Sequence, residues 1–146
     1  MLLALMALVP PTAAALERPE STNDVAQNYL LFCGGCHGDG GRGVPHKVPA
    51  LVGKIGRFLH VEGGREFLIR VPGVANSQLS PAGAAAVMNL CLEKFATPEE
   101  RAGVLPYTAT EIAAVRRQPM IEVEHVRRVL LTKAGVTEAE ILADYY

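Results

Sequence analysis

Residues 24–37 read Asp24-Val25-Ala26-Gln27-Asn28-Tyr29-Leu30-Leu31-Phe32-Cys33-Gly34-Gly35-Cys36-His37. Val25, Tyr29, Leu30, Phe32 and Cys33 form an apolar stripe at helical spacing, and Ser21 or Asn23 precedes it as a cap, so a helix is predicted over 24–33. Gly34 and Gly35 are expected to break that helix, leaving two thiols and an imidazole at its C-terminal end. The chain then turns to loop, with Gly38, Gly40, Gly41, Gly43, Gly53 and Gly56 interspersed with Pro45 and Pro49. A flat ligand can lie close against such a backbone.

Working outward, a short helix is predicted over 65–71, ended by Pro72-Gly73. A longer one opens with Ser80 as N-cap and Pro81 in the first helical position, and its apolar positions Ala84, Val87, Met88, Cys91, Leu92 and Phe95 carry it to residue 95. The tail divides at Thr97-Pro98 and Leu105-Pro106. Thr108 and Glu111 form a capping box that opens a helix ending before Pro119; another helix is predicted over 121–134, and Thr137 with Glu140 caps a last short one. The chain therefore reads as all-α: a helical domain over 24–96 around the Gly-rich loop, with a helical extension over 97–146.

The 146 residues suffice for one core. Hydrophobic residues at 49%, charged residues at 20% and a net charge of -1 exclude a disordered chain and a polyanion-binding surface, so no nucleic-acid partner is expected. Trp is absent and aromatics make up only 5%, a thin supply of large packing groups that a buried macrocycle would supplement. The apolar run from Leu2 to Val9, then Pro10-Pro11 and Ala13-Ala14-Ala15, reads as a signal peptide over 1–15 followed by a loose arm over 16–23, although no Lys or Arg precedes the run. The run is far shorter than the about 20 residues of a membrane span, and no other stretch is long and apolar enough. An exported, periplasmic protein with no span after cleavage is expected.

In an oxidising compartment cysteines usually pair, yet there are three. Cys33-Gly34-Gly35-Cys36-His37 accounts for two of them as the c-type haem attachment pattern. Two thiols with two residues between them reach the vinyl groups on one edge of the ring, and the adjacent His meets the iron. A Cys-x-x-Cys pair also serves zinc sites and redox dithiols. Zinc would need a second ligand pair, which Cys91 does not supply, and a dithiol would sit in a strand-helix context that an all-α chain lacks. Cys91 itself lies on the apolar stripe of its helix and reads as a buried, inert thiol.

With this motif near its N-terminus, the chain resembles the small monohaem cytochrome c family. The resemblance covers residues 24–95 and is carried by the helix into Cys33-Gly34-Gly35-Cys36-His37, then Gly38-Asp39-Gly40-Gly41-Arg42-Gly43, Val48-Pro49-Ala50-Leu51, Gly56-Arg57 and Leu79-Ser80. It implies one covalent haem c, with Cys33 and Cys36 as anchors and His37 as an axial iron ligand. Pro49 would offer its backbone carbonyl to His37, a bond that fixes the imidazole tautomer. The family usually supplies a second axial ligand as a Met in a Met-Pro step upstream of Leu-Ser, and here that place reads Val71-Pro72-Gly73-Val74. The candidates for a substitute are His46, His60, Met88, Met120 and His125. His60 leads, because Phe58, Leu59 and Val61 flank it and Gly63-Gly64 would let the backbone fold closely over a haem.

These features imply periplasmic electron transfer by a single haem, as a carrier or as the cytochrome subunit of an exported dehydrogenase, with a dehydrogenase or terminal oxidase as redox partner and no catalysis of its own. The alternative implied by the absent Met is a five-coordinate haem sensor or a small ligand-binding or peroxidase-like haem protein. In the tail, Arg116, Arg117, Arg127 and Arg128 interleave with Glu122, Glu124, Glu138 and Glu140, the pattern of a solvated, salt-bridged face.

Overall fold

The computed structural model describes residues 22–143; the expected signal peptide over 1–15, the arm as far as residue 21, and residues 144–146 lie outside the described residues. The first helix begins at Thr22. Helix α1 (Thr22–Tyr29) passes into a π turn (Leu30–Gly34) and then α2 (Gly35–His37). The two glycines do not break it: Gly34 (φ -61°, ψ -32°) and Gly35 (φ -60°, ψ -29°) are both right-handed helical. Glycine permits a helix to end without forcing it to. The stop falls at Gly38, where φ is 70°. The π turn is one residue wider than an α turn and rotates the next residues about the axis. Hence Tyr29 is buried whereas Leu30, Leu31 and Phe32 are exposed, so Leu30 and Phe32 leave the buried stripe predicted for them.

Among the described residues the fold is all-α; the only extended pairing is an isolated bridge between Val44 and Val48. A 3₁₀ turn (Ile55–Phe58) leads into α3 (Gly64–Arg70) and the short α4 (Pro72–Ala75). Gly64 does make a close backbone approach, but to Phe58 and not to a cofactor: a Cβ there would stand 1.9 Å from the Phe58 carbonyl oxygen. Helix α5 (Pro81–Phe95) matches its predicted bounds, with the Ser80 hydroxyl accepting the Gly83 N–H at 3.0 Å. Loss of that cap in Ser80→Ala should cost about 1 kcal/mol in chemical denaturation of the holoprotein.

Helix α5 is the spine. Its small residues Gly83, Ala84 and Ala85 and its larger Val87, Met88, Leu92 and Phe95 are buried, with α1 and α7 (Ala109–Val115) packed against it. The Phe95 and Tyr29 rings meet with centroids 5.7 Å apart. The segment beyond residue 96 shares this core: Tyr107, Ile112, Leu130, Leu131 and Ile141 are all buried in the same cluster. Asn89 on α5 both donates to the Tyr107 carbonyl (3.0 Å) and accepts the Tyr107 N–H (2.8 Å), satisfying an otherwise irregular strap. Arg65 grips Glu111 through Nε (2.9 Å) and Nη2 (2.8 Å) and lies 4.1 Å above the Tyr107 ring. That grip leaves the predicted Thr108 capping box half made. Glu111 N–H donates to the Thr108 hydroxyl, but the Glu111 carboxylate is held by Arg65.

Three further helices, α6 (Pro98–Arg101), α8 (Val123–Lys133) and α9 (Glu138–Ala143), complete the described chain, and α6 opens with a full capping box between Thr97 and Glu100. The basic tail residues do not form a uniformly solvated face. Arg128 pairs with Glu124 at 3.5 Å, but Arg127 is buried at 4% exposure and Arg116 points inward. Among the described residues no helix is long and apolar enough to cross a membrane.

Candidate functional site

The loop after α2 folds back on the helix end by a run of backbone bonds. Gly43 N–H donates to the His37 carbonyl (2.9 Å), Val44 and Val48 exchange both their bonds (2.9 Å each), and Leu51 N–H donates to the Gly41 carbonyl (2.7 Å). The Tyr29 hydroxyl donates to the Gly38 carbonyl at 2.5 Å and holds the start of the loop to α1. These bonds return Pro49 to the imidazole, with His37 Nδ1 lying 3.1 Å from the Pro49 carbonyl oxygen. Gly43 is the pivot. Its φ is 68°, and a Cβ there would fall 2.2 Å from the Val48 oxygen and 2.8 Å from the Pro49 oxygen.

Because a carbonyl only accepts, the bond to Pro49 puts the imidazole proton on Nδ1 and leaves a lone pair on Nε2. Burial lowers the pKa of His37, partly opposed by the bond to Pro49, which favours the neutral ring that a metal ligand must be.

Beside His37 lies a cavity with about 570 Å³ of empty space, partly open to solvent. Its walls are aliphatic: Leu51 and Ile55 from the loop and 3₁₀ turn, Leu68, Val71, Val74 and Leu79 from the segment through α3 and α4, and Ala84 and Val87 from α5. Cys33 and His37 line it too. Cys36 is exposed at the helix end, and all three cysteines are free thiols. An apolar cavity bearing one thiol of a Cys-x-x-Cys pair and a tautomer-fixed imidazole fits a covalently tethered haem. Among the described residues no group of three His, Cys, Asp or Glu side chains is assembled as zinc would require.

Cys91 also lines the cavity. Burial, and after it the neighbouring Cys33, push its thiol up to about 12, while Lys94 pulls slightly the other way. It is therefore protonated at neutral pH and a poor nucleophile. Met88, one turn away, lines the same wall.

The structure does not bring His60 to this cavity. Its ring is exposed and its Nε2 lies 2.9 Å from the Glu100 carbonyl oxygen, because the sharp backbone at Gly63-Gly64 turns against Phe58. His46 is exposed in the turn between Val44 and Val48, at a positive φ of 63°, and His125 is exposed on α8. Met120 is partly buried against the core, with its N–H donating to the Arg70 carbonyl. Sequence reasoning missed the role of Arg116. Its guanidinium donates to the carbonyls of Leu79 (2.8 Å), Ser77 (2.5 Å) and Ala75 (3.4 Å), holding the segment that contributes Val74, Ser77 and Leu79 to the cavity wall. The periodicity around Arg116 carries no signal for this, since its acceptors are backbone atoms.

No protein-family model matches the chain. It is 31% identical over 134 residues to a cytochrome c-552 of Thermus thermophilus, covering 80% of this chain and 87% of that relative. It is 32% identical over 106 residues to another cytochrome c-552 from Thermus thermophilus, covering 60% of this chain and 81% of the relative.

Proposed function

The chain belongs to the small c-type cytochromes, and from that membership we propose that Cys33 and Cys36 anchor a single haem c by thioether bonds, that His37 binds its iron through Nε2, and that the protein carries electrons between exported redox partners. The observation that carries this reading is the pairing of His37 Nδ1 with the Pro49 carbonyl at the rim of an apolar cavity that Cys33 also lines. The bound haem supplies the ferric/ferrous couple. Everything else falls to the protein.

Pro49 fixes the ring orientation of His37 and adds electron density to it, which favours the ferric state. The aliphatic walls exclude water, which disfavours the extra positive charge of that state. Leu30 (54% exposed), Leu31 (68%) and Phe32 (38%) stand just before the attachment motif and leave apolar surface exposed there. A small patch of this kind suits a partner that must bind briefly and leave. A periplasmic location accords with the apolar run at residues 2–9, and docking to an exported redox partner such as a dehydrogenase would use this exposed apolar surface.

The test is expression alongside a c-type haem maturation system. The denatured chain should retain haem stoichiometrically in a pyridine haemochrome assay, and the native protein should take up one electron reversibly in a potentiometric titration. A chain that carries no covalent haem would sink the proposal.

A further inference from the structure

Resting on the haem reading above, we infer that the iron face opposite His37 takes no ligand from the described residues and is a binding site for a small, neutral, π-accepting molecule of the carbon monoxide or nitric oxide class. A sixth ligand would need an imidazole or thioether reaching into the cavity. Of the described candidates, His46, His60 and His125 are exposed and Met120 is packed elsewhere. Where the family places its Met stands Val71, which lines the cavity with an aliphatic side chain.

Met88 is the one thioether in the described lining, and its position argues against axial ligation. It lies three residues before Cys91, hence on the same face of α5. Cys91 is the electrostatic neighbour of Cys33, and α5 packs on α1. Met88 thus belongs to the wall beside the thiol tether. A haem tethered at Cys33 would have Met88 on the side of its attachment.

The remaining wall, from Leu68 to Leu79, cannot easily rearrange to deliver a ligand. Arg116 bonds three of its carbonyls, Arg70 Nε donates to the Gln118 carbonyl at 2.7 Å, and Met120 N–H donates to the Arg70 carbonyl at 2.8 Å. The polar side chain in this wall, Ser77, spends its hydroxyl proton on the Val74 carbonyl at 3.0 Å. An apolar pocket whose hydroxyl proton is already engaged favours neutral diatomics over anions, which would enter it without compensating hydrogen bonds. Electron transfer and ligand capture would then compete at one iron.

The experiment is an absorption spectrum of the reduced holoprotein before and after carbon monoxide, for wild type and for Met88→Leu. The expected result is a five-coordinate, high-spin reduced spectrum in both, with a complete Soret shift on adding carbon monoxide. A low-spin reduced spectrum that carbon monoxide leaves unchanged overturns the open site. So does a low-spin wild type that becomes high-spin only in Met88→Leu, which would make Met88 the ligand. A chain without covalent haem in the haemochrome assay overturns the haem reading as well, and that outcome is distinct from the other two.

Discussion

Replacing both thiols, as Cys33→Ser with Cys36→Ser, will leave a chain whose haem, if any, extracts completely into acidified acetone, where the wild type retains all of it. The same double variant should also melt at a lower temperature. The enclosed part of the cavity beside His37 is about 80 Å³. Unfilled apolar cavities cost about 24 cal/mol per Å³, so leaving it empty should cost about 2 kcal/mol, a sizeable share of a domain's stability of about 5–15 kcal/mol. Few aromatics are available to collapse inward, since Tyr29, Phe58, Phe67 and Phe95 are already engaged in ring pairs. Circular dichroism should therefore show helix content falling together with bound haem, at temperatures where the wild type is folded. A double variant that melts with the wild type would mean that the cavity is not filled by the cofactor.

The second large effect is expected at a residue with no side chain. Gly43→Ala forces a positive φ on a residue that resists it and drives a methyl group into the Val48–Pro49 backbone, 2.2 Å from one carbonyl oxygen and 2.8 Å from the other. Both contacts are with backbone, so neither can be relieved by a rotamer change. The strain should cost about 3 kcal/mol or more in denaturation. It should also act on the iron, because the oxygen that must move is the acceptor for His37 Nδ1. With that bond lengthened, the imidazole donates less electron density, and the reduction potential should rise relative to wild type in a potentiometric titration. Ser80→Ala, which costs stability at α5 without touching this loop, should leave the potential where it was. A Gly43→Ala protein with wild-type potential would separate the loop from the tuning of the iron.

Much of this architecture is legible in the chain because its signals are local. Ser80-Pro81 marks the start of α5 through a cap and a fixed φ, and the spacing of Cys33, Cys36 and His37 is the local signal behind the proposed haem attachment. The features that escape a sequence reading depend on partners far away. Nothing near Glu111 says that its carboxylate will go to Arg65 and leave a capping box half made. Gly63-Gly64 signals a close backbone approach, but the object approached is the Phe58 carbonyl, and this turn carries His60 away from the cavity. The π turn at Leu30–Gly34 depends on hydrogen-bond register, which apolar periodicity cannot distinguish from a regular helix, so the exposure of Leu30 and Phe32 has no signature in the pattern. Arg116 reads as solvated charge because charge patterning counts ionic neighbours, and its acceptors are carbonyls.

The reach of Arg116 from the tail to the segment around Ser77 also changes what the tail is. The wall it secures lines one side of the cavity beside His37, yet Arg116 itself lies well beyond the attachment motif, after α5 and the Tyr107 strap. A chain shortened before Arg116 would leave that wall without the bonds to the Ala75, Ser77 and Leu79 carbonyls. The extension is therefore a structural part of the cavity and not an appendage to the domain that holds it.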